Sequence, residues 1–223
     1  MDVVLLCGGK GERMRPHTLE TPKPLLLINN KPFLYYLIKK FLKIKVNQII
    51  LAAGYKFHKI KKFKLKYFNK NKNIKLFNSG NVDIIKRLQD CSKFIEDDFI
   101  VCYGDTHVSI DLNKYIKNFY ASEKDSSVLS TYFKLKYGTI IYNKKTLIVK
   151  NFLEKPIIQN PINLGYFIFK KKLIKEICKS KSWANFLDKI SKKNKMLIQL
   201  TNKKFFSFDT PRDYFDIKSK FMR

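Results

Sequence analysis

The most constraining stretch lies near the start, where the apolar run Val3 to Cys7 passes without a polar lead-in onto Gly8, Gly9 and Gly11 and then onto Arg13. That order predicts a buried strand emptying into a glycine turn. Glycine accepts φ > 0 and lets backbone N–H groups approach an anion, so such a turn is a nest of partial positive charge. Arg13 would add a forked cation and Lys23, inside Pro22-Lys23-Pro24, a compact one, both suited to a phosphate tail. The spacing is neither of the two commoner glycine loops, because a third glycine in dinucleotide register is absent and no Gly-Lys-Ser/Thr follows. Taken alone, Gly-Gly-x-Gly is only a turn.

Behind this turn the chain alternates. An apolar run from Pro24 to Ile28 ends at the turn pair Asn29-Asn30. Pro32 then opens a helix with Leu34, Leu37, Ile38, Phe41 and Leu42 on one face. Strands follow at Gln48 to Ala53, Ile74 to Phe77 and Asp98 to Tyr103, with helices at Lys56 to Phe68 and Asp83 to Ile95 between them. This rhythm predicts a parallel sheet covered on both sides. Asp98 to Tyr103 ends at Gly104-Asp105, and open α/β sheets place ligands at the carboxyl ends of their strands. Asp111 is the expected cap of a helix from Leu112 to Tyr120.

From Ser126 strands follow each other directly: Ser127 to Phe133, Gly138 to Tyr142, Thr146 to Leu153 and Asn163 to Phe169. Two short helices are expected at Lys171 to Cys178 and Ser182 to Lys192. A last strand, Phe205 to Asp209, leads through Thr210-Pro211 into a closing helix with Tyr214, Phe215 and Phe221. The expectation is one domain over residues 1–223, its 1–125 half binding a nucleotide and its 126–223 half a second substrate. The four cysteines stand singly in apolar surroundings, which predicts neither disulfides nor a zinc site. The acidic Asp2 and the early glycine turn argue against a secretory leader, and no apolar run reaches the ~18 residues of a membrane span. The compartment expected is the cytoplasm.

Four motifs in order carry a resemblance that the glycine turn alone does not. They are Gly8-Gly9-Lys10-Gly11-Glu12-Arg13-Met14-Arg15-Pro16-His17-Thr18 with Pro22-Lys23-Pro24, then Tyr103-Gly104-Asp105, Glu154-Lys155-Pro156 and Phe208-Asp209-Thr210. Together they resemble the sugar-1-phosphate nucleotidyltransferases, from about residue 3 to about residue 215. Among these the chain is similar both to glucose-1-phosphate cytidylyltransferases and to heptose- or mannose-1-phosphate guanylyltransferases. The resemblance implies a Rossmann-like nucleotide-diphospho-sugar transferase fold, a three-layer α/β/α with a mixed, mostly parallel central sheet. It implies a reaction that joins a sugar 1-phosphate to a nucleoside triphosphate, CTP first and GTP next, releasing pyrophosphate and serving surface polysaccharide synthesis.

The site residues implied are Arg13 and Lys23 as catalytic cations, with Asp105 and Asp209 as ligands of Mg²⁺. Nucleotide contacts are implied at Leu6, Gly8, Gly9, Gly11, Asn78 and Gly80, and sugar-phosphate contacts at Gly138, Glu154, Lys155 and Asn163. One departure stands out: both branches carry Thr-Gly-Gly before the helix after the third strand, where this chain reads Ile84-Ile85-Lys86. That departure keeps a rival open, the same fold as a catalytically weakened binding protein or basic scaffold.

A net charge of +28 points towards nucleic acid. Against it, only five of the 46 basic residues are Arg, the residue that reads bases and phosphates bidentately, and the lysines run along the whole chain. Solvated lysine faces are the expected reading, with no membrane segment and a homo-oligomer left open. Of the histidines, His107 is expected at the surface.

Overall fold

The apolar run that opens the chain becomes the middle of the sheet in the computed structural model, which describes residues 1–193 and 195–220. The strands are β1 (Asp2–Cys7), β2 (Leu27–Ile28), β3 (Lys31–Pro32), β4 (Gln48–Ala53), β5 (Ile74–Asn78), β6 (Phe99–Tyr103), β7 (Thr106–Val108), β8 (Ser126–Thr131), β9 (Thr139–Tyr142), β10 (Val149–Leu153), β11 (Ile162–Phe169), β12 (Met196–Leu200) and β13 (Phe205–Ser207). The helices are α1 (His17–Glu20), α2 (Phe33–Phe41), α3 (Phe57–Phe68), α4 (Ile84–Cys91), α5 (Leu112–Ala121), α6 (Ile174–Cys178), α7 (Trp183–Lys192) and α8 (Pro211–Lys220).

Seven strands form the central sheet in the order β12-β8-β11-β6-β1-β4-β5. All its pairs are parallel except those of β11, which runs antiparallel to both β6 and β8. Successive residues of a strand point to opposite faces. Val3, Leu5, Ile49, Leu51, Ile100 and Cys102 therefore bury into one core with α2 and α5. Val4, Ile50, Ala52, Phe99 and Val101 bury into the other, with α4 and α7. Both faces are covered, so the expected three-layer architecture with a mixed, mostly parallel sheet is the one observed.

Local signals behave as physics requires. Asn29 and Asn30 both take positive φ (46° and 59°), the hairpin turn between β2 and β3. The Asp111 carboxylate accepts from the N–H groups of Asn113 and Lys114 and starts α5.

The differences are also local. The helix expected through Ile95 stops at Cys91, where the chain tightens into a 3-10 turn over Ser92–Phe94 and the Ser92 hydroxyl donates to the Gln89 carbonyl. The strand expected from Thr146 begins at Val149, because Asn143 accepts from the N–H groups of Lys145 and Thr146 and Leu147 takes φ 58°. β7, which pairs with β13, and the edge strand β12 had no counterpart in the reading of the sequence. Phe221 lies outside the described residues.

Candidate active site

The turn after β1 opens onto a cleft of about 670 Å³ at the carboxyl ends of β1 and β6. Its three glycines answer to three different constraints. A Cβ on Gly8 would lie 2.1 Å from the guanidinium of Arg87, whereas one on Gly9 would meet nothing within 4 Å. Gly9 is the open face of the cradle. Gly11 sits at φ 63° and caps the 3-10 turn Glu12–Met14, and the Thr18 hydroxyl donates to its carbonyl at 2.8 Å. Thr18 thus gives that carbonyl a partner beside the Met14 N–H, a physical reason for a hydroxyl at this place behind the glycines.

Lys23 is the pivot. It is 8 % exposed, yet its Nζ donates to Asp105 Oδ2 at 2.6 Å and to Asp209 Oδ1 at 2.7 Å. Arg13 reaches the same Asp209 oxygen at 3.2 Å. Two carboxylates and two cations, from four separate parts of the chain, converge beside the glycine turn. Asp105 stands just past β6, in the tight link to β7, and Asp209 just past β13. The β7–β13 pairing brings these two links together, and the Thr106 hydroxyl donates to Asp105 Oδ1 at 3.2 Å and to Ser207 Oγ at 3.1 Å.

The sequence-derived residues divide into two groups. Leu6, Gly8, Gly9, Gly11, Arg13, Lys23, Asp105, Asn163 and Asp209 all line the cleft. Asn78 and Gly80 are not among the lining residues; both are exposed at the end of β5, where the Asn78 side chain accepts from the Gly80 N–H at 3.0 Å. Gly138, Glu154 and Lys155 lie on the β9–β10 hairpin outside the cleft, with Glu154 and Lys155 exposed and paired to each other at 3.5 Å.

Arg87 was the functional residue that the sequence reading passed over. It is buried on α4, and its two terminal nitrogens donate to the carbonyls of Ala53 (2.6 Å), Gly8 (3.2 Å), Gly80 (3.3 Å) and Val82 (2.8 Å) and to the Ser79 hydroxyl (2.6 Å). Burial lowers its pKa from the ordinary guanidinium value. One side chain therefore ties the glycine turn, the end of β4 and the loop before α4 into one wall. A signal was present: position 87 shares the face of Ile84, Leu88 and Cys91, where a charge demands a partner.

The Ile84-Ile85-Lys86 departure from Thr-Gly-Gly falls inside a helix. Ile84, Ile85 and Lys86 form the first turn of α4, capped by Asp83, which accepts from the Lys86 N–H at 2.9 Å. The loop ahead of the helix is Ser79–Asp83, and Val82, Asp83 and Ile84 face the cleft. Two further groups are settled by burial. Cys7 lines the cleft, but burial pushes its thiol up to about 12, so it stays protonated and is no nucleophile. His107, expected at the surface, is half-buried on β7, where burial and the nearby Lys40 hold it down at about 4. It is a neutral imidazole near pH 7. Among the described residues no group of three or more His, Cys, Asp and Glu side chains forms a closed metal cage.

Cations paired with carboxylates beside a backbone nest suit phosphate-rich substrates, and on an open α/β sheet they fit a phosphoryl-group transferase. Comparison with known proteins narrows the class. The nucleotidyl transferase family profile matches residues 2–214, and the chain belongs to that family. It is 28 % identical to D-glycero-alpha-D-manno-heptose 1-phosphate guanylyltransferase of Campylobacter jejuni, over 96 % of this chain and 97 % of that protein. With the probable glucose-1-phosphate cytidylyltransferase of Bacillus subtilis it shares 30 % identity over 78 % of this chain and 76 % of the relative.

Bifunctional protein GlmU of Methanocaldococcus jannaschii is 33 % identical over 81 % of this chain, which spans only 43 % of that relative. Among solved structures, HddC from Yersinia pseudotuberculosis superposes with a TM-score of 0.76 at 27 % identity, covering 99 % of both chains. The same protein complexed with GMP-PN gives 0.75.

Proposed function

We infer that this nucleotidyltransferase joins a sugar 1-phosphate to GTP or CTP, giving a nucleotide sugar and pyrophosphate. The observation that carries the reading is the Lys23 ammonium held between Asp105 and Asp209 at the mouth of the glycine turn. A sugar phosphate attacking the α-phosphorus in line brings two polyanions together, and little else than positioning and charge stabilisation is asked of the protein. Lys23 and Arg13 supply that charge. With substrate bound they exchange their carboxylate partners for phosphate oxygens, while backbone N–H groups around Gly8 and Gly9 bind the tail.

The carboxylates so released suit Mg²⁺. Two hard oxygen donors already converge on one cation, and Mg²⁺ commonly takes one or two carboxylates and completes its shell with phosphate and water. Asp105 and Asp209 would hold it, and it would supply neutralisation of the developing charge on the reacting phosphates. The glycine turn, Arg87 and the Ser79–Asp83 loop form the nucleotide half of the site. The sugar phosphate falls to Asn163 and to Gly138, Glu154 and Lys155 on the hairpin, a division of labour between residues 1–125 and 126–223.

The sequence resemblance puts CTP first, whereas the full-length match to a guanylyltransferase and the fold match to a GMP-PN complex support GTP. A matrix of four nucleoside triphosphates against a panel of sugar 1-phosphates, read as pyrophosphate release with Mg²⁺, tests both levels. One active nucleotide is the expected result, and silence across the matrix would refute the activity.

A further inference from the structure

The β9–β10 hairpin is one of three two-stranded sheets, with β2–β3 and β7–β13, and differs from them in its exposure. Its strands pair only with each other, and all five residues of β10 are exposed. Its register places Ile140, Tyr142, Val149 and Phe152 on a single face, since directly paired residues share a side and the bulge at Lys150 keeps the parity. That face is built of aliphatic and aromatic side chains, each about half exposed: Ile140 54 %, Tyr142 48 %, Val149 56 % and Phe152 59 %. At the tip Leu147 is 73 % and Ile148 66 % exposed, and Tyr137 near the root is 80 % exposed. A two-stranded hairpin is marginal in water by itself, and a contiguous apolar patch of this kind marks a contact surface.

Charge says what it contacts. Residues 134–157 hold six lysines, Lys134, Lys136, Lys144, Lys145, Lys150 and Lys155, against one carboxylate, Glu154, which Lys155 already neutralises. A second copy of this chain would bring another strongly cationic surface. We propose that the hairpin docks on an anionic lipid surface, with Leu147 and Ile148 entering the headgroup layer and Lys144, Lys145 and Lys150 meeting lipid phosphates. Apolar side chains at the headgroup boundary flanked by lysines are the pattern of an interfacial anchor, and each lysine near an anionic leaflet adds to the attraction. Tyr137 and Tyr142 have the amphipathic rings that favour the same layer. The anchor is peripheral: among the described residues no helix is long and apolar enough to cross a membrane.

The test is co-sedimentation of the full chain with vesicles of phosphatidylcholine alone and of equal parts phosphatidylcholine and phosphatidylglycerol. Binding to the anionic vesicles only is expected. The exposed-site double variant Leu147→Asp/Ile148→Asp should lose it by about tenfold or more while its circular dichroism and its pyrophosphate release in solution stay unchanged. Lys144→Gln/Lys145→Gln/Lys150→Gln should weaken binding and flatten its salt dependence. Equal sedimentation of the tip variant and the native chain would overturn the proposal, since adsorption would then belong to the protein's overall charge. Equal binding to both kinds of vesicle would overturn it as well. So would a lipid-free dimer in analytical ultracentrifugation that the tip variant abolishes, which would assign the face to self-association.

Discussion

The glycine-turn region and the β9–β10 hairpin carry the two halves of one proposed site, and they are built in opposite ways. Around the turn every charged group is tied within its own chain: Lys23 to two carboxylates, Arg13 to one of them, Arg87 to five neutral acceptors. At the hairpin Glu154 and Lys155 pair with each other in solvent, just past an edge strand whose five residues are all exposed. Preorganised charge is what lowers a phosphoryl-transfer barrier, so rigidity belongs where the nucleotide reacts. The sugar side can be assembled on binding.

That contrast is open to attack by mutation. The largest effect is expected at Lys23. Lys23→Met should cut kcat/KM by about 10²–10³-fold in steady-state pyrophosphate assays, the usual cost of removing one preorganised charge donor. Little loss would mean that the parked cation plays no part in turnover. Arg87→Leu should come next. It strands several buried carbonyls, each worth about 1–3 kcal/mol, so urea denaturation should show a loss of roughly 3 kcal/mol or more and nucleotide KM should rise with it.

A smaller effect should come from pH. His107 has a folded pKa of about 4 against an ordinary 6.5, so the unfolded chain binds the extra proton first. Stability is then fully present above pH 6.5 and falls as pH drops towards 4, by about 2–3 kcal/mol, and His107→Gln should flatten that slope. Glu154→Ala closes the series: sugar-phosphate KM should rise about tenfold, with the urea midpoint unmoved because the side chain is exposed. A drop in stability there would show the hairpin to be as firmly built as the turn.

The two regions differ equally in how far they could be read from the sequence. The turn was legible because its demands are local: a strand-forming run, glycines at close spacing, a hydroxyl behind them, and Asp111 and Thr210-Pro211 at helix starts. The hairpin's strands were legible too, from the apolar runs Gly138 to Tyr142 and Thr146 to Leu153, but its isolation was not, since an exposed Ile140 reads the same as a buried one. β12 escaped notice because a short apolar run such as Met196 to Leu200, just after a helix, has no period of its own.

By itself the sequence determined most of the strands and helices, the turns at Asn29-Asn30 and Gly8 to Gly11, and which charged residues are candidates for the site. These follow from forces acting within a few residues. Only the tertiary structure decided that Lys23 meets carboxylates 82 and 186 residues away, and that Arg87 lies beneath Gly8 and stitches the wall of the cleft. Those contacts exist because the sheet orders its strands by packing and twist rather than by chain position, and no local pattern encodes which strand ends become neighbours.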